Sequence, residues 1–132
     1  MKGFKSNIEN DTLSNGDFRR VLYTGRHSQL VLMSLKPGEE IGMETHAAVD
    51  QFFRFEHGTG KIIIDGVEQD VKDGDAVVVP SGARHNVINT SADSDLKLYT
   101  IYSPPEHQDG TVRHTKAEAI TGPEEFDGKT TE

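Results

Sequence analysis

The chain contains no cysteine. Disulfides and thiolate metal sites are therefore excluded, and any metal it binds is held by nitrogen and oxygen donors; the redox compartment is left open. Apolar residues are scarce, at 33% of 132 residues, and the mean hydropathy is negative. The core must be modest, and no stretch approaches the length of a membrane-spanning helix. Residues 1–6, MKGFKS, lack the apolar run of a secretory signal, so a cytoplasmic location is the expectation. Cationic charge is short too: 14 Lys and Arg stand against 22 Asp and Glu, a formal net charge of -8. That balance argues against a nucleic-acid backbone or an anionic membrane surface as partner. Ser-His-Asp spacing, a phosphate-cradling glycine loop and a dinucleotide fingerprint are absent, which makes nucleophilic and nucleotide chemistry poor candidates.

What is present is a series of short β-type runs between turn signals, in a length that suits one domain. Residues 1–18 read as a polar lead-in, residues 19–120 as a β-barrel with a C-terminal covering segment, and residues 121–132 as an acidic, solvated, poorly ordered tail. Strands are expected at Arg19–Gly25, Ser28–Leu35, a stretch carrying Glu44 and His46, Gln51–Glu56, Lys61–Asp65, Val67–Val71, Ala76–Val79, His85–Ile88 and Leu96–Tyr102. Asp65-Gly66 is a hairpin turn, and Thr115 to Glu118 has capping-box spacing for one helical turn through Ile120. Many short strands and no long helix give an all-β class, a barrel or double-sheet jelly roll.

The aromatic centre is Gln51-Phe52-Phe53-Arg54-Phe55. If Gln51 faces inward, Phe53 and Phe55 follow at period two as core or cavity lining, while Phe52 and Arg54 face out. An outward phenylalanine calls for a cover, because burying one contributes about 1.5–3 kcal/mol. A homodimer is the expected state.

Two stretches carry the chemistry. In Gly74–Asn89, GDAVVVPSGARHNVIN, a buried strand ends in the tight turn Pro80-Ser81-Gly82 and a second strand starts near His85. Upstream, Glu44 and His46 lie two apart and so share a face, with Gln51 opening the next strand. If the Gln51 strand pairs with the Glu44 strand and the His85 strand lies alongside, Glu44, His46, Gln51 and His85 offer two nitrogens and two oxygens to one first-row divalent metal, Zn, Mn, Fe, Ni or Co. Gln51 is the weakest of the four donors and has a second reading, orienting His46 or a metal-bound water.

These stretches resemble the paired motifs of the cupin superfamily of small β-barrels. Gly74, Pro80, Gly82, His85 and Asn89 fall at every position of its second motif. Gly38, His46 and Gly58 fall in the first, with Glu44 in its first His position and Gln51 in its Glu position. The resemblance covers roughly residues 28 to 102 and implies the cupin double-stranded β-helix. Zinc-dependent mannose-6-phosphate isomerase-like cupins use a Gln, His, Glu, His order, so this set looks like theirs with Glu and Gln exchanged. Some cupins that linearise unsaturated uronates also carry Gln in the Glu slot. The resemblance thus implies an isomerase or related enzyme acting on a small sugar, sugar acid or hydroxy-carbonyl compound, the metal stabilising an enediolate. An Fe(II) dioxygenase-like enzyme and a non-catalytic small-molecule binding module are the alternatives.

No general base is identifiable. His107 and His114 follow the last strand and are candidates to fold over the barrel mouth; Tyr99 and Tyr102 lie on opposite faces of one strand, so at most one looks inward. His107, Tyr99 and Tyr102 are the weak catalytic candidates, and His27, His57, His107 and His114 are set aside as ligands.

Overall fold

The computed structural model describes residues 1–132. Ten strands form its body: β1 Arg19–Thr24, β2 Gln29–Leu35, β3 Glu44–Thr45, β4 Asp50–His57, β5 Thr59–Ile64, β6 Val67–Lys72, β7 Ala76–Val79, β8 Arg84–Asn89, β9 Leu96–Ser103 and β10 Val112–Arg113. Two short helices, α1 Ile8–Ser14 and α2 Lys116–Thr121, flank them. All pairings are antiparallel. One sheet has the order β10-β1-β2-β9-β4-β7 and the other β3-β8-β5-β6.

Alternation decides which side chains enter the space between the sheets. On β4, Gln51, Phe53 and Phe55 are buried while Phe52 and Arg54 are only half-buried. Register aligns the inward rows across the larger sheet, so that Val31, Thr100 and Phe53 lie side by side, as do Met33, Leu98 and Phe55. Ile62, Val71 and Val87 from the smaller sheet close the same core. Strand β6 contributes only Val71, which fits its place at a sheet edge.

Gly58 marks the end of β4 for a steric reason. Its φ is +97°, and a Cβ there would stand 2.5 Å from the Asp95 carbonyl oxygen. The β4–β9 register shifts at this place, between Phe55 and His57. Asn89 fixes the same end of the barrel: its amide donates to the carbonyls of Leu35, Lys36 and Ser94, and its Oδ1 accepts from the Ser91 N–H.

Both ends of the chain bond to the rest of the fold. Within the lead-in, Asn7 caps α1 by accepting from the Asn10 N–H, and Lys97 Nζ donates to the Asn15 carbonyl at 2.6 Å. Helix α2 has the predicted cap, with Glu118 N–H donating to Thr115 Oγ1. The acidic end is not a free tail. Phe126 N–H donates to the Glu106 carbonyl and Thr131 N–H to that of Thr24, while the Glu132 carboxylate accepts from the backbone of Lys2 and Gly3 and from the Tyr23 hydroxyl. Backbone groups thus find partners that the tail's composition does not reveal.

Candidate metal centre

Strand pairing sets Glu44 directly opposite His85. His46 follows as the chain leaves β3, and the turn before β8 locks onto this exit. Gly82 N–H donates to the His46 carbonyl at 2.9 Å, and Ser81 N–H to Asp50 Oδ1 at 2.8 Å. Gly82 has a φ of +87°, a conformation that glycine adopts without penalty. The two sequence motifs are therefore one hydrogen-bonded unit, in which the turn aims His85 and the exit loop aims His46.

Gln51 arrives by a different route from the one expected. Its strand does not pair with that of Glu44; β4 lies in the larger sheet between β7 and β9, and Gln51 reaches across the interior. Its Oε1 lies 3.1 Å from His85 Nε2. The ligand atoms of Glu44, His46 and His85 lie within 4.8 Å of one another.

Hydrogen-bond accounting says which atoms are free. His85 Nδ1 lies 3.1 Å from the Ala83 carbonyl, which only accepts, so Nδ1 carries the proton. Gln51 Nε2 donates to Thr100 Oγ1, whose own proton goes to the Phe52 carbonyl. The Gln51 oxygen therefore faces His85, acceptor against acceptor in the neutral state. On His46, Nδ1 stands 3.3 Å from Glu106 Oε1, while Nε2 is buried with no hydrogen-bond partner. Glu44 Oε2 is 3.6 Å from that nitrogen. Two imidazole nitrogens and a carboxylate thus converge, with the Gln51 oxygen against one of those nitrogens, a donor set that fits a first-row divalent cation. The carboxylate behind His46 is the partner that such a histidine ordinarily has.

The electrostatics agree with this arrangement. The contact with Glu106 raises the His46 pKa above the ordinary imidazole value; burial opposes the rise and the Glu44 charge adds to it. Glu106 is correspondingly lowered, chiefly by His46. The side chains of Glu44 and Glu106 are 33% and 29% exposed, against 9% for His46. Approach from solvent therefore runs past the two carboxylates.

The remaining candidates are distributed unevenly. Phe53 sets its edge towards His85, with centroids 6.2 Å apart, and Phe55 stacks on Phe53 within the core. Tyr102 is buried and meets both His46 and His107 edge-on, at 5.9 and 5.0 Å; burial raises its hydroxyl pKa and keeps it neutral. Tyr99 does not belong to the site. Period two on β9 turns it to the outer face against Phe52, so its candidacy as a catalytic group is withdrawn. His107 does fold back, through its backbone N–H to Gln29 Oε1, but its ring is tied to Glu124 at 2.9 Å. His57 and His114 are engaged elsewhere, with the Asp95 carbonyl and with Asp17. The largest cavity, about 530 Å³, lies outside the barrel between Phe4, Asp17, Arg20 and Leu32, and no ligand-bearing residue borders it.

Glu106 and Thr100 escaped the reading of the sequence. Thr100 was reachable, being two residues from Tyr102 on one strand. Glu106 carries no local signal, because Gln29 brings it to the mouth by accepting its N–H across the fold at 3.2 Å.

A double sheet with these motifs at the mouth defines the class: the chain belongs to the cupin family, and residues 31–102 match the cupin domain. Among its relatives is the uncharacterized protein YrkC of Bacillus subtilis, 48% identical over 125 residues, which cover 90% of this chain and 67% of that protein. The crystal structure of BH2720 from Bacillus halodurans is similar with a TM-score of 0.89 at 43% identity, over 92% of this chain and 96% of that one. KdgF from Halomonas sp. shares the fold, with a TM-score of 0.66 at 21% identity, over 83% and 97% of the two chains. No helix is long and apolar enough to cross a membrane.

Proposed function

We propose that the protein is a metal-dependent cupin enzyme whose cation is held by Glu44, His46 and His85, with Gln51 as fourth donor, and which acts on a small hydroxy-carbonyl compound in the manner of an isomerase. One observation carries this reading above the others: the partnerless, buried His46 Nε2, set among the ligand atoms of Glu44 and His85. A buried ring nitrogen without a partner is costly unless something outside the chain claims it.

When bound, a divalent metal supplies a Lewis acid that polarises a carbonyl and eases loss of the neighbouring proton. The chain's own contribution is positional. Glu106 holds His46 with Nε2 turned inward, Ala83 does the same for His85, and Thr100 orients the Gln51 amide. Tyr102, neutral and buried beside His46, offers a hydroxyl donor to a substrate oxygen. Phe53 keeps water from the inner side of His85.

A second reading has an observation of its own. Two histidines and one carboxylate make the ligand set of oxygen-activating iron enzymes, and that set is the triad Glu44, His46 and His85. The two readings separate by experiment. Protein reconstituted with Mn(II) or Zn(II) in deuterated water should exchange the proton beside the carbonyl of a hydroxy-carbonyl substrate, lost in His46→Ala. Oxygen uptake with Fe(II), and no exchange with any metal, would replace the isomerase reading with the oxygenase one. Absence of both leaves the small-molecule binding module.

The homodimer belongs with this proposal. Leu30, Ile101, Phe52 and Val78 are cross-strand neighbours on the outer face of the larger sheet, and Val78 is 64% exposed. A second copy laid on this row buries it, and Phe52→Glu should then sediment as a monomer.

A further inference from the structure

Strand β1 turns Arg19 into the barrel, where the residue is 9% exposed. Across the ladder it faces Arg113 on one side and Met33 on the other. The fold treats the two paired arginines differently. Arg113 donates to the Gly122 carbonyl from both Nε and Nη2, and to Glu124 Oε2 at 3.2 Å. Arg19 takes part in no ion pair, its side chain makes none of the chain's hydrogen bonds, and its Nε is buried without a partner.

Carboxylates are close at hand but already engaged. Glu124 is shared between His107 and Arg113, and Glu106 stands against His46. The Phe18 ring lies 5.4 Å from the guanidinium carbon and gives the planar group a surface to rest on. A line of contacts leads from Arg19 to the ligand cluster: Arg113, opposite it in the ladder, holds Glu124, Glu124 holds His107, and Tyr102 lies with its ring 5.0 Å from that of His107 and 5.9 Å from that of His46. An inward guanidinium with no ion-pair or hydrogen-bond partner of its own is a standing cost to the fold. A ligand that brings the missing anion removes that cost.

We propose that Arg19 is the docking residue for the carboxylate of a small hydroxy or keto acid, which lies between Arg19 and the Glu44–His46–His85 cluster. The inference rests on the function proposed above and narrows its substrate class. A guanidinium presents two parallel N–H donors that match the two oxygens of a carboxylate. The hydroxyl or keto oxygen on the adjacent carbon is then left to face the ligand cluster. An inward guanidinium of this kind selects acids, since neutral hydroxy-carbonyl compounds leave Arg19 unpaired.

The test is calorimetric titration of the Mn(II)-reconstituted protein with glycolate, methyl glycolate and inorganic phosphate, for wild type, Arg19→Gln and Arg19→Lys. Manganese content and melting temperature are measured on the same samples, with Arg19→Leu added for the melting temperature. Glycolate should bind wild type at least tenfold more tightly than Arg19→Gln, with partial recovery in Arg19→Lys. Methyl glycolate should not distinguish the variants, and phosphate should bind less tightly than glycolate. Arg19→Leu should melt no lower than wild type and lose the upward shift that glycolate gives. Equal glycolate affinity in wild type and Arg19→Gln, with equal metal content, overturns the assignment and leaves the metal site standing. Tighter Arg19-dependent binding of phosphate overturns the carboxylate. A lower melting temperature for Arg19→Leu makes the residue structural and overturns its docking role. If no sample holds manganese yet glycolate still raises the melting temperature of wild type alone, the metal reading fails and the Arg19 site stands.

Discussion

His85 Nε2 and Gln51 Oε1 face each other at 3.1 Å from opposite sheets. Each has its other polar atom committed, His85 Nδ1 to the Ala83 carbonyl and Gln51 Nε2 to Thr100. With neutral His85 the two facing atoms are both acceptors, and a cation between them turns a repulsion into shared coordination. Gln51→Leu should therefore weaken Mn(II) or Zn(II) binding by about 10- to 100-fold, the loss typical when a supporting group of a metal site is removed. Gln51→Glu keeps the oxygen, adds a charge and should bind at least as tightly as wild type. Competition against a fluorescent chelator reads both.

The pH dependence of metal uptake follows from His46. Its pKa is raised by Glu106, so in the metal-free protein the proton persists above the ordinary imidazole range and competes with the metal. Affinity should rise with pH until His46 is deprotonated, and fall about tenfold per unit below that point for one displaced proton. Glu106→Gln removes the main cause of the rise. The inflection should move to lower pH, while the plateau affinity drops because His46 is less firmly oriented.

Glu124 carries a different test. Its side chain is 7% exposed and joins His107 to Arg113. Desolvation raises its pKa, but the bond to His107 and the neighbouring positive charges outweigh this, and the net shift is downward from 4.5. A depressed carboxylate contributes stability that is complete above the unfolded value and disappears as pH falls through the folded one. Glu124→Gln should thus cost roughly 1–3 kcal/mol near neutrality, because it removes the charged partner of His107 while Arg113 keeps its bonds to the Gly122 carbonyl. The gap to wild type should close as the solution is acidified below pH about 4.5, in urea titrations across the range.

At Gly58 the backbone itself is the constraint. Gly58→Ala imposes a positive φ on a residue with a Cβ and drives that atom against the Asp95 carbonyl. A loss of about 2–4 kcal/mol follows from the strain and the forced displacement together. Thermal unfolding measures it; because the glycine lies away from the ligand atoms, a folded variant should still bind metal.

How much of this was legible in the chain depended on the range of the signal. Period two on β4 separated Gln51, Phe53 and Phe55 from Phe52 and Arg54, because alternation is a local property of extended backbone. Motif spacing brought Glu44, His46 and His85 together, since a turn of fixed geometry joins the two stretches. The pairing partner of β4 was misread: adjacency in sequence favoured β3, whereas closing two sheets over one core sends β4 to β7 and β9. Glu106, Arg19 and the tail residues were invisible for one shared reason. Each gains its place from contacts far away in the chain, as Glu132 does with Lys2 and Gly3, and no local pattern encodes such contacts. Arg19 has the look of any charged residue at a strand start, and only the closed barrel shows that its side chain bonds no other group of the chain.

The most direct test of the account is elemental analysis of protein purified without chelators and after reconstitution, beside Glu44→Ala, His85→Ala and the control His57→Ala. The account predicts close to one equivalent of a transition metal in wild type and His57→Ala and almost none in the other two. No metal in wild type after reconstitution, or undiminished metal in Glu44→Ala and His85→Ala, would contradict it.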